Sequence, residues 1–144
     1  MSNTYNAANS ALRVCIDRID GGSLSGQLYS QRLKRPMAFS DLGSLILGLD
    51  GLFDQQNYPQ AFQRTRSFGV SRRSCPEAAG PEDGMPQEAV RQARGEIFTF
   101  DLYVITRRNS TWQGFLVWPD GSREEFDSAL EILHLLDEHL PAEK

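Results

Sequence analysis

Two stretches of this chain, 12–54 and 100–140, read as copies of one unit, and that repeat restricts the fold more than any other feature. Laying Leu12 on Phe100 without a gap brings Val14 onto Leu102, Ile16 onto Val104, Gly21-Gly22 onto Asn109-Ser110, Leu24 onto Trp112, Gly26 onto Gly114 and Leu28 onto Leu116. After one deletion Phe39 meets Phe126, Leu45 meets Ile132, Ile46 meets Leu133, Leu49 meets Leu136 and Asp50 meets Asp137. Neither copy suffices alone, because a hairpin is marginal in water and one helix covers only part of a sheet face. The expectation is one α+β domain: two β-β-(β)-α units about an approximate two-fold axis, with helices 40–54 and 128–140 against antiparallel strands.

The element types follow from residue chemistry. Ile97 to Thr106 and Thr111 to Trp118 are rich in β-branched and aromatic residues, and Asn109-Ser110 between them supplies a hairpin turn. Pro119-Asp120-Gly121 makes a second turn, and Ser122 to Phe126 adds a short third strand. Ser128-x-x-Glu131 has capping-box spacing, and Ala129, Ile132, Leu133, Leu136 and Leu140 then recur at helical spacing up to Pro141. In the first unit the same order places strands near 12–19 and 23–31, then a basic connection Gln31–Pro36, then a helix weakened by Gly43, Gly48 and Gly51. Burial is expected for the pairs Phe39 and Phe126, Leu28 and Leu116, and Leu49 and Leu136. Gly26 and Gly114 are expected where backbone or a side chain comes close to the sheet.

Between the units, 55–95 reads as an inserted connection. It holds Pro59, Pro76, Pro81 and Pro86 and little apolar periodicity, with a flexible part at about 70–86 and a short helix at 86–94. Residues 1–11 read as a disordered tail. Of 144 residues, 40% are hydrophobic and 24% charged, the proportions of a soluble domain with its own core. No run approaches the 18 or so apolar residues of a membrane helix, and Met1 to Ser10 lacks a charged-then-apolar leader, so the expected setting is cytoplasmic with no membrane contact. The formal charge of -4 gathers at the C-terminal end, where 96–144 carries four basic and ten acidic groups.

Alternation divides the strands into two apolar faces. Phe98, Phe100, Leu102 and Val104 share one, Ile97, Tyr103 and Ile105 the other; on the next strand Phe115 and Val117 oppose Trp112, Leu116 and Trp118. A helix-covered sheet normally turns polar residues outward on its second face. Cover for that face must come from the insertion, the other unit or a partner chain, and Tyr103, Ile105, Trp112 and Trp118 are the expected partner surface.

Catalytic chemistry finds little footing. His134 and His139 lie five apart on one helix, about 140° around it, so they do not share a ligand. Glu131-x-x-His134 lacks the second such motif that a di-metal bundle needs. Cys15 lies between Val14 and Ile16 as an inert strand thiol, whereas Cys75, beside Arg72 and Arg73, reads as an exposed loop cysteine. Asp120, Glu124, Glu125 and Asp127 read as a solubilising edge and helix cap, and Gly21-Gly22-Ser-Leu-Ser-Gly26 as a turn rather than a phosphate loop. No cofactor, metal or catalytic residue is assigned. The expected function is a non-enzymatic interaction or assembly module, self-associating or binding another protein. The alternative is nucleic-acid binding through Arg32, Lys34, Arg35, Arg64, Arg66, Arg72 and Arg73, with Phe62 and Phe68 interleaved.

Two resemblances bear on these readings. Trp112-x-Gly114 on the second of three strands before a helix resembles the sheet readers of plant ethylene-response and integrase arm-binding DNA-binding domains, which implies a nucleic-acid role for 97–140; only Arg107, Arg108 and Arg123 are basic there. More of the chain is similar to a group of small uncharacterised proteins from clostridial-type Gram-positive bacteria. That similarity rests on Leu24-Ser-Gly26 with Tyr29-Ser30, Tyr58-Pro-Gln-Ala-Phe62 with Arg66-Ser-Phe68, and Arg108-Asn-Ser-Thr-Trp-Gln-Gly114 with Ser128-Ala-Leu-Glu-Ile-Leu133. It implies a two-part architecture in a bacterial cytoplasm and adds no catalytic residue.

Overall fold

A computed structural model describes residues 11–21, 23–56, 75, 77–79, 84–107 and 111–139. The elements run β1 (Leu12–Asp20), β2 (Ser23–Tyr29), β3 (Met37–Phe39), α1 (Leu42–Gln56), α2 (Gln87–Gln92), β4 (Phe98–Thr106), β5 (Gln113–Val117), β6 (Arg123–Phe126) and α3 (Ala129–His139). All six strands form one antiparallel sheet in the order β3-β2-β1-β4-β5-β6. The fold is therefore α+β, and the first strands of the two sequence units pair at its centre, Leu12 opposite Leu102 and Val14 opposite Phe100.

The β1–β2 and β4–β5 ladders, which flank the central β1–β4 pair, each slip register once. On β1 the slip falls between Ile16 and Arg18, on β4 between Val104 and Thr106. Beside each slip a glycine opposes the last regular residue, Gly26 against Ile16 and Gly114 against Val104. A Cβ on either glycine would stand 1.9 Å from a backbone oxygen, that of Cys15 or of Tyr103. The close approach expected at these two glycines is thus a backbone approach in both cases.

The core lies on one face of the sheet. Leu12, Val14, Ile16, Leu28, Phe100, Leu102, Val104 and Leu116 meet Leu45, Leu49, Leu52 and Phe53 of α1 and Ile132 and Leu136 of α3 there. All six residues paired for burial by sequence are buried, none above 5% exposure. Asp41 starts α1 by accepting from the Ser44 amide at 2.7 Å, while the Ser44 hydroxyl accepts from the Ser40 and Asp41 amides. At α3 Ser128 accepts from the Glu131 amide, and the Glu131 carboxylate reaches back to the Asp127 amide, one residue before the partner a regular capping box predicts. The turn after β5 depends on Gly121 at φ 92°, a left-handed conformation that glycine adopts without Cβ strain.

The predicted helix at 86–94 is present as Gln87–Gln92, and the described part of the connection is tied by backbone contacts to the basic stretch 31–36. Lys34 and Ala79 donate their amides to the Glu77 and Arg32 carbonyls, Leu33 bridges Ala78, and Met85 donates to the Leu33 carbonyl. The expected tail at 1–11 falls almost wholly outside the described residues, as does most of the stretch expected to be flexible, about 70–86.

Candidate functional site

Both tryptophans expected at a partner surface belong to the core instead. Trp112 is 3% and Trp118 4% exposed, on the helix-covered face. Their indole N–H groups allow this burial because each finds an acceptor, Trp112 on Asp50 at 3.2 Å and Trp118 on Glu124 at 2.9 Å. Alternation separates two sets of residues without saying which set the helices cover. Tyr103 and Ile105 do lie on the other face, half-buried and 50% exposed.

That second face has two unlike halves. Over β1 it carries Arg13, Cys15 and Asp17, and the chain leading from α2 into β4 crosses it. Arg13 donates to the Arg91 and Ala93 carbonyls, the Gly95 amide donates to Thr99 Oγ1, and the Glu96 amide donates to Asp17 Oδ1 at 2.9 Å. Arg13 also holds both oxygens of its cross-strand neighbour Asp101, at 2.8 and 3.1 Å. Beneath this cover Cys15 is 1% exposed, and burial pushes its thiol up to about 11.

Over β4, β5 and β6 the face carries two rows set by register: Asp101, Val117 and Arg123, then Tyr103, Phe115 and Glu125. Tyr103 stacks on Phe115 with centroids 4.7 Å apart, and the Arg123 guanidinium lies 4.1 Å from the Phe115 centroid. Phe115 is thus held from the β4 side and from the β6 side. An aromatic ring used in this way offers edges outward, which suits aliphatic and aromatic side chains of a protein better than the face of a base. Where the two halves meet, a cleft of about 460 Å³ opens between Arg94–Phe98 and the Pro119–Gly121 turn, with Thr99, Asp101 and Val117 among its walls.

The described basic residues divide between core and surface. Arg32 is 1% exposed, its Nε donating to Gln56 and its guanidinium 5.1 Å from the Phe53 ring, so it serves the core rather than a phosphate. Arg107, 8% exposed, approaches the same ring and pairs with Asp54 at 2.9 Å. Lys34 and Arg35 are exposed, and Arg64, Arg66, Arg72 and Arg73 lie outside the described residues.

Cys75 is buried, not exposed: its Sγ sits 3.7 Å from Met37 Sδ, and burial raises its thiol. Glu131 caps α3 rather than joining His134, and His139 stacks on Trp118 with centroids 4.0 Å apart and Nε2 3.4 Å from Glu124. Among the described residues no three His, Cys, Asp or Glu side chains are grouped to hold a metal, and no helix is long and apolar enough to cross a membrane. Set against known proteins, the chain matches no family model, no curated protein and no solved structure.

Proposed function

We propose that this chain is a non-enzymatic interaction or assembly module of a bacterial cytoplasm, built from two β-β-β-α units, and that its contact surface is the β4–β6 half of the face opposite the helices. The observation that carries this reading is the set of apolar residues Tyr103, Ile105, Phe115 and Val117 on neighbouring positions of β4 and β5, with Tyr103 stacked on Phe115 and Ile105 half in solvent, on the face opposite the helix-covered core. Contiguous apolar surface on a sheet costs solubility and is kept where something docks.

The two-unit architecture draws support from register. The shift that lays Leu12 on Phe100 also lays Arg13 on Asp101, its actual cross-strand partner, so the central ion pair would stand on the two-fold axis. It also lays the Ile16/Arg18 slip on the Val104/Thr106 slip, and Gly26 against Cys15 on Gly114 against Tyr103. The nucleic-acid alternative draws no such support, since Arg32 is committed to the core and the second face pairs Arg123 with a ring already stacked.

The test is site-specific photo-crosslinking in living cells, with the probe at Ile105 and controls at Leu47 and Leu130, apolar residues of equal or greater exposure on α1 and α3. Protein adducts should form from position 105 and not from the controls. Adducts from the helices with none from 105 would refute the surface.

A further inference from the structure

The charges around this strip say what kind of surface it complements, and the argument rests on the reading just given. In the first row Asp101 on β4 and Arg123 on β6 flank Val117; in the second Tyr103 and Glu125 flank Phe115. Each row thus places an acceptor on one side and a donor on the other, and the donor side changes from β6 to β4 between rows. Two copies packed face to face about a dyad running along β5 would set Asp101 against the partner's Arg123 and the Tyr103 hydroxyl against the partner's Glu125. Val117 and Phe115 would each meet their own copies on the axis. A dyad running across the strands between the rows would set Arg123 against the partner's Glu125, Tyr103 against the partner's Asp101, and Val117 against the partner's Phe115. Under either in-plane dyad the exposed charges Arg123 and Glu125 meet complementary groups, Asp101, already held by Arg13, offers its remaining lone pairs to a donor, and the apolar centre is closed, which is the self-complementarity an isologous interface requires.

We propose that the occupant of the β4–β6 face is a second copy of this chain, forming a face-to-face dimer centred on Phe115 and Val117. Arg123 and Glu125 are exposed in the single chain, so they form the rim that selects orientation, while the stacked rings supply the apolar centre.

Sedimentation equilibrium on the full chain, up to about 0.5 mM, reads the association directly. A dimer is expected, weakened about tenfold or more by Arg123→Glu with the circular dichroism spectrum unchanged, weakened further by Val117→Lys, and weakened by raising salt to about 1 M. Leu130→Glu, on the exposed side of α3, should leave it unaltered. Because Arg123 is a surface residue, its variant keeps the test valid if Val117→Lys fails to fold. A chain that stays monomeric across the range, or a dimer indifferent to Arg123→Glu, overturns the proposal. If position 105 still crosslinks to other proteins while the chain is monomeric, self-association falls and the interaction surface stands; if neither occurs, both fall.

Discussion

Replacing Gly26 or Gly114 by alanine should be among the most damaging single-methyl changes available to this protein. The added Cβ would lie 1.9 Å from the Cys15 carbonyl oxygen and 3.1 Å from the Asp17 nitrogen in one case, and 1.9 Å from the Tyr103 oxygen and 3.0 Å from the Val104 Cα in the other. An ordinary carbon contact begins near 3.4 Å, so the strands must part by roughly 1.5 Å at a place where the neighbouring atoms are backbone and cannot rotate away. Overpacking of a well-filled site costs about 1–3 kcal/mol, and stretching one or two ladder hydrogen bonds adds about 1 kcal/mol each. The sum, about 2–5 kcal/mol, is a large share of the roughly 5–15 kcal/mol that keeps a domain folded. For a chain of this length it corresponds to a fall in Tm of about 4–20 °C. Urea unfolding followed by the fluorescence of the two buried tryptophans measures it. Gly43→Ala is the control, since its Cβ would meet only the Asp41 carboxylate at 3.4 Å and alanine is the better helix former. An alanine variant at 26 or 114 melting within about 2 °C of the parent would show that the close approach relaxes freely. One variant collapsing while the other is neutral would refute the equivalence of the two sites.

Leu49→Ala and Leu136→Ala, which empty fully buried positions on α1 and α3, should each cost about 2–5 kcal/mol in the same assay; a loss under about 1 kcal/mol at either would mean that its helix does not seal the core. Cys15 should resist thiol reagents near pH 8 until the protein unfolds. Its thiol, at about 11 when folded and near 9.0 otherwise, keeps a proton that the unfolded chain releases, so its contribution is whole below about pH 9 and is lost as pH rises to about 11. That contribution is about 2–3 kcal/mol, and Cys15→Ala should flatten the alkaline fall in stability by that amount; an unchanged slope would refute it.

The sequence carried most of the element order because its signals are local. Alternation of β-branched and aromatic residues marked β1, β2, β4 and β5, helical spacing marked α1 and α3, and Ser128 with Glu131 marked a real cap. β3 had no such signal: Met37–Phe39 spans three residues after a proline, too short for alternation to show. Arg32 misled because charge predicts solvent, whereas the fold supplies Gln56 as acceptor and the Phe53 ring beneath the guanidinium. Trp112 and Trp118 misled for a related reason. Their burial depends on Asp50 and Glu124, acceptors that only tertiary structure brings to the indoles. Cys75 lies in a segment without periodicity, and its burial against Met37 follows from the connection folding back on the sheet edge.

The two halves of the second face also explain why their equivalent positions diverged, if the chain is two copies of one unit. One connection links the units, and among the described residues it covers the outer face over β1 and leaves that over β4–β6 bare. The covered half has kept groups that hold a passing backbone: Arg13 donates to the Arg91 and Ala93 carbonyls, and Asp17 accepts from the Glu96 amide. Between them the small Cys15 side chain fits beneath the segment. At the positions that the shift makes equivalent, the bare half carries Asp101, Tyr103 and Ile105, and opposite Tyr103 it carries Phe115 where the covered half has Gln27. The anchoring groups Arg13 and Asp17 correspond to Asp101 and Ile105, and Cys15 and Gln27 to the rings of Tyr103 and Phe115, so the second set has less to hold a passing backbone and more to offer another apolar surface. Under the proposal above, that exchange suits a face covered by a second copy of the chain.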